Sequence, residues 1–411
     1  MARNLFLLVE EKDRKLINYF LLGLLSYEVC NFIFPFFPFL IVRFVQLIAI
    51  LGIIYSFVRI SKHFSDRTKY IKIYWFFLFW SFVCVLRINS LDYKEVQLML
   101  FHPVHILAYL VPIVYITPVN KPFLKATFRF SIVTTFLLFF FFTVISLLLF
   151  KESNTTDLLI SAFGSGAIFL FFTWRYHKIW VRYLSLLGII FSAYIGAVNG
   201  RRNVILISFV SLIFGCICLL LHNSKYNLLK TYTLTLLLII ASIVGYLSID
   251  ITQIEHFSAL SERLNTDSRS DVITAFINDM DDLDWLVGRG VDGAYYNPIK
   301  YWNFLTNESR DVSYRDTIEN GYLFIILKMG LVGLLLFLYL IVSAIYNGLF
   351  KSKNILTKAA ALFLITYLIE MISFGQPALS LKYFFVWLSI AICHSTNTRS
   401  LSENAMKKIF M

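Results

Sequence analysis

The sequence predicts an all-α fold: a polytopic integral membrane protein with about 12 transmembrane helices and one large loop on the outer face. Of its 411 residues, 58% are hydrophobic and only 15% are charged, whereas a soluble domain carries roughly 25% charged residues. The apolar residues form runs of roughly 20 residues, the length that crosses a bilayer. The basic residues behind the net charge of +12 lie in short loops between those runs. These observations exclude a soluble enzyme, a secreted domain, a disordered chain and a nucleic-acid-binding module.

The apolar runs define the predicted spans, each close to the roughly 20 residues that a helix needs to cross the hydrocarbon core. They lie at about 16–34, 39–59, 70–88, 102–118, 128–150, 157–174, 179–198, 203–222, 229–249, 321–346, 356–373 and 378–394. Pro35 and Pro38, between the first two runs, predict a tight outer turn or a re-entrant dip. The five cysteines lie in or beside the runs, which predicts buried small side chains and no disulfide framework.

The loop charges predict the orientation of the chain. With the N-terminus in the cytoplasm, every predicted inner loop is basic, from Arg14 and Lys15 near the start to Lys407 and Lys408 near the end. This distribution obeys the positive-inside rule, so both termini are predicted to be cytoplasmic. The predicted organisation is transmembrane helices one to nine in 1–249, a periplasmic loop with an amphipathic helix in 250–320, and helices ten to twelve with a cytoplasmic tail in 321–411.

The predicted loop 250–320 is long enough to be a functional element. It contains fourteen acidic and six basic residues, and so opposes the basic remainder of the chain and favours internal ion pairs. Apolar residues recur at helical spacing from Val272 to Leu283, with Ser270 and Asp271 as candidate N-terminal caps. The pattern predicts an amphipathic helix that lies on the membrane or against the helical bundle.

Four arginines lie at positions where charge is unfavourable unless it has a use. Arg201 and Arg202 occupy a very short outer turn, Arg43 lies about one turn inside the second span, and Arg87 lies at the outer end of the third. The guanidinium group matches phosphate oxygens and keeps its proton. The arginines therefore favour an anionic substrate, such as a membrane-borne diphosphate. The alternative is that they reach the lipid headgroups or pair with acidic residues of the loop.

A glycine motif within the loop resembles a nucleotide-binding sequence. Gly288, Gly290 and Gly293 have the G-x-G-x-x-G spacing, but that motif requires a preceding strand and a βαβ unit. Here it follows a predicted amphipathic helix, so the glycines are predicted to permit tight turns.

The order of these parts resembles that of the O-antigen polymerase and O-antigen ligase superfamily. Its members are multi-span proteins with a large periplasmic loop in the C-terminal half and an outer arginine at the start of a central span, which NGRRN resembles. Their loop begins with a serine-rich stretch and an arginine ahead of an amphipathic helix, similar to SERLNTDSRSDVI, and continues with a turn like GRG. It ends in a segment similar to ENGYLFIILKMGLVG. The resemblance covers about residues 185–345 and implies a multi-pass protein of the bacterial inner membrane.

The resemblance also implies roles for the site residues. Arg202, Arg201 and Arg269 would hold the diphosphate of a polyprenyl-diphosphate-linked oligosaccharide and stabilise its charge as the glycosidic bond breaks. Glu319 would accept the proton of the attacking sugar hydroxyl. Ligases usually carry a histidine at this position, so the glutamate favours a polymerase. The alternative role of Glu319 is to cap the following helix. No metal or cofactor is implied.

Further residues complete the candidate substrate site or border it. The substrate-binding candidates are Arg43, Arg87, Arg289, Arg310 (which has a family-like spacing to Gly321), Glu370, Tyr295 and Tyr296. The tyrosines could stack on sugar rings or anchor at the membrane interface. Lys328 lies about 180° from Glu319 on a continuous helix, so the two are predicted to face opposite ways unless the helix begins after Glu319. His102 and His105 alone make a poor metal site.

Three functions remain open at this stage. The first is a metal-independent polymerase that joins lipid-linked repeat units, with the lipid bilayer and a chain-length regulator protein as partners and with no role for nucleic acid. The second is the ligase that transfers finished glycan to a lipid A core. The third is a flippase of lipid-linked oligosaccharide, which is expected to show charges along a central path.

Overall fold

A computed structural model describes most of the chain and is mostly helical. The described residues are 2–33, 38–60, 67–88, 96–97, 100–117, 119–148, 163–199, 201–220, 269–298, 301–303, 308–310 and 314–410. The predicted span 229–249 and the first part of the predicted loop, 250–268, lie outside them.

The helices are listed here in chain order. They are α1 Ala2–Ile33, α2 Phe39–Arg59, α3 Thr68–Leu86, α4 Lys121–Leu148, α5 Ser165–Phe172, α6 Ile179–Val198, α7 Arg202–Leu220, α8 Arg269–Asp279, α9 Asp282–Val287, α10 Gly321–Phe350, α11 Ile355–Met371, α12 Leu381–His394, α13 Thr396–Ser400 and α14 Glu403–Phe410. Two 3₁₀ helices span Ile106–Ile116 and Trp174–Tyr176.

One region of the otherwise helical described chain contains short strands, which the sequence did not predict. Four short strands follow α9, at β1 Tyr295–Tyr296, β2 Tyr301–Asn303, β3 Glu308–Arg310 and β4 Tyr314–Arg315. β1 pairs antiparallel with β4, and β2 pairs antiparallel with β3. The β1–β4 pair faces Tyr295 with Arg315 and Tyr296 with Tyr314.

Seven helices among the described residues are long and apolar enough to cross a membrane. Their candidate spans are 13–33, 39–59, 69–86, 121–141, 179–198, 202–219 and 321–350. Each corresponds to a predicted span, and α2 and α6 begin and end at the predicted residues. The membrane character of the chain is therefore confirmed at this coarser level, whereas the number of twelve spans is not.

The predicted transmembrane span 102–118 is not a long α-helix in the structure. Its core forms a 3₁₀ helix, Ile106–Ile116, with Pro112 inside it. At about 2 Å per residue, its 11 residues fall short of the roughly 30 Å hydrocarbon core. Pro112 has no amide hydrogen to donate, which disfavours a regular α-helix here. The predicted spans 356–373 and 378–394 correspond to α11 and α12, which have 17 and 14 residues.

The surfaces of the long helices are apolar as well as their interiors. Leu40 is 80% exposed, Val58 68% and Leu335 64%. Soluble proteins rarely expose apolar side chains in such large contiguous patches. Exposed apolar surface on long helices indicates contact with lipid.

The chain divides into two compact units. Unit 1 contains residues 1–118, 268–344 and 367–394, and unit 2 contains residues 119–267, 345–366 and 395–411. In unit 1, α1 packs along α2, and the 3₁₀ helix Ile106–Ile116 packs on α3 and α12. Trp387 of α12 is fully buried among aromatic rings there. All five cysteines are free thiols, as predicted.

Unit 2 is built from consecutive helices closed by the C-terminal segment. α4, α5, α6 and α7 pack in sequence. The carboxylate of Glu403 accepts hydrogen bonds from the hydroxyl of Tyr176 (3.0 Å) and the amide of Ile355 (2.9 Å). Phe410 of α14 packs against Phe128 and Tyr176. The predicted cytoplasmic tail is therefore a docked part of this unit.

The predicted amphipathic helix exists, but its ends differ from the prediction. α8 begins at Arg269, which places Ser270 and Asp271 inside its first turn instead of before it. The helix ends at Asp279. A separate helix, α9, follows, and the side chain of Asp281 caps it by accepting a hydrogen bond from the amide of Asp284 at 2.7 Å. The predicted single helix is therefore two.

Candidate functional site

The central feature of unit 1 is a break in α10. Gly330 has φ +66° and ψ −175°, so the helix is interrupted there. The carbonyls just before the break find donors outside the helix: Leu327 accepts from the amide of Arg289 at 2.7 Å, and Lys328 accepts from the amide of Gly290 at 3.2 Å. The indole of Trp80 donates to the carbonyl of Met329 at 2.8 Å. These bonds matter because a buried backbone group left without a hydrogen-bond partner costs about 1–3 kcal/mol.

The loop that supplies these amides is docked onto the helix ends. The amide of Val291 donates to the carbonyl of Cys84 at 3.2 Å. Arg87, just after α3, donates from Nη1 to the carbonyl of Val287 at 3.0 Å. We call residues 287–293 the docked loop. Its bond with Val287 shows that Arg87, predicted to bind substrate, holds the backbone of this loop.

The glycines of the docked loop behave as the tight-turn interpretation predicts. Gly288 has φ +72° and Gly290 has φ +88°, a region that favours glycine. A β-carbon on Gly288 would lie 2.6 Å from the amide nitrogen of Gly330. The motif therefore allows a close backbone approach between the loop and the break in α10.

Two basic side chains bind carbonyls of the docked loop from the bundle. His105 places Nδ1 3.0 Å from the carbonyl of Val291, and Lys328 donates from Nζ to the carbonyl of Gly293 at 2.9 Å. The other ring nitrogen of His105, Nε2, lies 3.2 Å from Oδ2 of Asp316. His105 and Lys328 are almost fully buried, whereas about a third of Asp316 is exposed.

The electrostatics of Asp316 follow from these neighbours. Burial acts to raise the pKa of its carboxyl group, but the contact with His105 and the positive charge of Lys328 lower it well below its usual range. Asp316 is therefore an ionised carboxylate at neutral pH.

We call the loop-facing face of unit 1 its polar end and define it by Arg43, His102, His105, Asp316, Glu319, Lys328 and Glu370. Its segments are joined by hydrogen bonds: the side-chain amide of Asn320 donates to the carbonyl of Ile372 at 2.9 Å, and the amide of Leu379 donates to the carbonyl of Pro103 at 2.7 Å. A small pocket of about 20 Å³ lies beside Lys328 and is otherwise lined mainly by apolar and aromatic residues.

Glu319, the predicted base, lies just before α10 and is exposed. The capping role is taken by the next residue, because Oδ1 of Asn320 accepts from the amides of Tyr322 (3.0 Å) and Leu323 (3.1 Å). Glu319 interacts electrostatically with Tyr295. α10 begins only at Gly321, so Glu319 lies outside the helix that carries Lys328 and the 180° relation of a continuous helix does not apply.

The two predicted tyrosines differ in environment. Tyr295 is fully buried and packs edge-to-face on Phe276 at 5.3 Å between ring centroids, and burial raises the pKa of its phenol. Tyr296 is 45% exposed and pairs with the exposed Tyr314 at 5.8 Å. Tyr296 and Tyr314 can therefore meet a sugar, whereas Tyr295 supports the fold.

Arg289 is engaged within the predicted loop. It donates from Nε to Asp284 at 2.6 Å, and its other nitrogens bind the carboxylate and carbonyl of Asp279 and the carbonyl of Ala294. Burial lowers its pKa, but these acidic partners outweigh that effect and raise it. These contacts hold the side chain of Arg289 in place within the loop. They are internal ion pairs between a basic and two acidic residues of the loop.

The remaining acidic candidate, Glu370, forms an ion pair with Lys382 at 2.5 Å. Arg43 donates to Oε1 of Gln46 at 2.9 Å and lies over the rings of Phe39 and Phe101. Glu370 therefore has an ionic partner within unit 1.

The other predicted arginines occupy the following positions. Arg201 and Arg202 belong to unit 2, at the turn between α6 and α7, and Arg202 is exposed. The amide of Arg201 donates to the carbonyl of Gly196 at 2.6 Å. Arg269 begins α8, and Arg310 ends β3.

Three residues of the polar end make contacts that the sequence did not predict. His105, Asp316 and Lys328 converge on the docked loop although they are far apart in the chain. One sequence feature could have identified Lys328: it is an ionisable residue inside an apolar span, which is unfavourable without a use. Within the described ranges, no group of three metal-ligating side chains is found.

Comparisons with protein-family models, curated proteins and solved structures found no match to this chain.

Proposed function

We propose that this chain is a membrane glycosyltransferase that joins polyprenyl-diphosphate-linked repeat units at the periplasmic face of the bacterial inner membrane. It would act as a polysaccharide polymerase of the O-antigen or capsule type. One observation carries the proposal: Tyr314, the ionised carboxylate of Asp316 and the exposed carboxylate of Glu319 belong to one short segment docked on the polar end of unit 1, and the ring of Tyr314 pairs with the exposed Tyr296.

Glycan transfer needs a surface that holds the sugar close to a group that accepts a proton. Tyr296 and Tyr314 present exposed rings on the β1–β4 pair, and aromatic rings pack well on the apolar faces of sugars. Glu319 follows Tyr314 by a few residues in the chain and is exposed beside the bundle. A sugar held on the tyrosines could therefore bring a hydroxyl group to a carboxylate.

The proposed reaction is one displacement at the anomeric carbon of the donor. Glu319 takes the proton of the acceptor hydroxyl, and the hydroxyl oxygen forms the new glycosidic bond. The bond between the anomeric carbon and the phosphate oxygen breaks, and polyprenyl diphosphate leaves with the electron pair. General-base help of this kind contributes about 10²–10⁴ in rate. Asp316 is a weaker candidate for the base, because its lowered pKa makes it a poor proton acceptor.

The diphosphate needs cationic partners, and the arginines predicted from the sequence keep that role in the proposal. In unit 1 they are Arg43 at the polar end and Arg269 at the start of α8. Arg289 and Arg87 are removed from this set, because each is bound to groups that position the docked loop.

The exposed apolar residues of the loop helices support a location at the bilayer surface. Leu283 and Leu286 of α9 are 65% and 52% exposed, and Leu286 lies directly against Gly330 of α10. We propose that α9 rests on the lipid surface and keeps the segment with Glu319 at the height of the lipid-linked substrate.

The deciding experiment is a gel of surface polysaccharide from a strain that lacks the gene. Loss of a polymerase leaves acceptors that carry a single repeat unit, and the unmodified gene restores long polymer. Bare acceptors with accumulated lipid-linked polymer would instead identify a ligase. Undecorated units trapped inside the cell would identify a flippase.

A further inference from the structure

A short turn that follows α11 is fixed to the end of that helix. We call residues 372–376 the α11 turn. The carbonyl of Glu370 accepts a hydrogen bond from the amide of Phe374 at 2.9 Å, and the hydroxyl of Tyr367 donates to the carbonyl of Gly375 at 2.9 Å. Two residues of α11 therefore hold the turn in place.

Two side-chain hydrogen bonds join the α11 turn to the residues on either side of Glu319. Before it, the carbonyl of Ile318 accepts from Nε2 of Gln376. After it, the side-chain amide of Asn320 donates to the carbonyl of Ile372 at 2.9 Å. The chain is thus bound to one turn both immediately before and immediately after Glu319.

The backbones of the two segments also approach each other closely beside Glu319. A β-carbon on Gly321 would lie 2.7 Å from the carbonyl oxygen of Gly375, and Gly375 itself has φ +36°, a conformation that favours glycine. The side chain of Ile318 is 2% exposed, whereas that of Glu319 is exposed. The backbone around Glu319 is therefore packed, while its carboxylate stays accessible.

This arrangement matters because Glu319 belongs to neither a helix nor a strand. It lies between β4 and α10, and a reactive group on such a segment is placed less precisely than one on a regular element. A general base must stay within hydrogen-bond reach of the proton that it accepts. Hydrogen bonds from other parts of the fold have to supply that precision.

We propose that Gln376 is a positioning residue that acts through Glu319, because its side-chain amide fixes the backbone from which the carboxylate projects. This role rests on the proposed function, since a base needs a position only if the reaction takes place. The hold of Gln376 on the carbonyl of Ile318 can be measured without the reaction. Asn320 is less suited to a test, because it also caps α10.

The first test measures the hold directly by hydrogen exchange of the full chain in lipid nanodiscs. Gln376→Met keeps the length of the side chain but has no donor. We expect exchange of the amides in 318–321 to become roughly 2- to 10-fold faster, the effect of one lost hydrogen bond, with no change in the remainder of α10. Gln376→Asn, which keeps the amide on a shorter side chain, should give the same result. Unchanged exchange in both variants would overturn the proposal.

The second test measures catalysis by the same chains in proteoliposomes, per folded molecule. We expect Gln376→Met to lower kcat for polymer formation by about 10- to 10²-fold, as a misplaced catalytic group does, and to leave KM unchanged, because the exposed tyrosine pair lies on the β1–β4 strands. Gln376→His, whose Nε2 can donate from a similar place, should restore most of kcat. Asn404→Leu removes an amide from an exposed residue of α14 and is the matched control.

A double variant separates positioning from general stability. In the Glu319→Gln background, Gln376→Met should lower the residual activity no further, because a residue that acts through Glu319 has nothing left to position. A second loss by the same factor as in the unmodified chain would refute the positioning role.

The measurements also separate this role from the proposed function. If exchange rises in Gln376→Met but the unmodified chain makes no polymer, the proposed function is refuted and the hold on the segment remains. If the unmodified chain makes polymer and Gln376→Met retains its kcat, the positioning role is refuted and the proposed function stands.

Discussion

Two buried histidines of unit 1 differ in the chemistry of their partners. His105, at the polar end, lies 3.0 Å from a backbone carbonyl and 3.2 Å from the carboxylate of Asp316. His394, at the end of α12, faces the hydroxyls of Tyr115 (3.0 Å) and Ser343 (2.9 Å) and stacks on Tyr70. A hydroxyl can donate or accept a hydrogen bond.

The difference teaches where this unit places charged groups. Hydroxyl partners can satisfy an imidazole ring without a neighbouring charge, and they suit a site whose task is packing. A carboxylate partner brings a charge, and a buried charge is retained only with compensation or a use. The comparison therefore separates a polar end that carries charged groups from a region built for stability.

The largest expected effect tests this separation. Glu319→Gln removes the proposed base and should lower polymer formation by about 10²–10⁴, whereas His394→Gln should change it only a few-fold per folded molecule. The measurement is polymer formed in proteoliposomes from lipid-linked repeat units. The exposed Asp282→Asn in α9 serves as a charge-matched control. Equal losses at Glu319 and His394 would break the comparison.

The second effect asks whether functional charge is confined to the polar end. Arg202→Ala in unit 2 should slow polymer formation by about 10²–10³ if its guanidinium stabilises the diphosphate, and Arg202→Lys should lose less. Lys178→Ala, an exposed basic residue of the same unit, should keep normal activity. Normal polymer from Arg202→Ala would remove this arginine from the proposed mechanism.

A third effect concerns stability at the break in α10. Gly330→Ala places a β-carbon 2.2 Å from the carbonyl oxygen of Leu286 and strains a backbone at φ +66°. We expect a loss of about 1–3 kcal/mol from the strained backbone alone, seen as a lower midpoint of thermal unfolding in detergent. Gly52→Ala, whose β-carbon meets nothing within 4 Å, should be neutral or slightly stabilising. A Gly330→Ala protein as stable as Gly52→Ala would show that the loop is not docked as described.

The smallest effect sharpens the role of the exposed tyrosine pair. Tyr296→Ala and Tyr314→Ala should each raise KM for the lipid-linked acceptor by roughly two- to tenfold, since an aromatic contact is worth about 0.5–1.5 kcal/mol. Tyr339→Ala, which is 49% exposed on α10, should leave KM unchanged. A fall in kcat with a constant KM would argue against sugar binding by the pair.

The sequence predicted the site unevenly. It placed Glu319 directly before α10 and the arginine pair in the turn before α7, because both positions follow from the ends of long apolar runs. It did not predict the contacts of Arg289 and Arg87, whose partners come from other segments. The hydrogen bond between Arg87 and Val287 joins residues 200 positions apart, and no local sequence pattern predicts such a contact.

Hydrophobicity and run length by themselves determined that this chain forms long membrane helices and where most of them begin and end, as α2 and α6 show. These properties are local, because a run of apolar side chains in lipid must satisfy its backbone within one helix. Only the tertiary structure decided that α10 is broken at Gly330, that the docked loop fills the break, and that His105 faces Asp316. Each of these features depends on hydrogen-bond donors and acceptors that come from distant segments. Which of them meet is decided by the packing of the folded chain, so the sequence alone does not predict them.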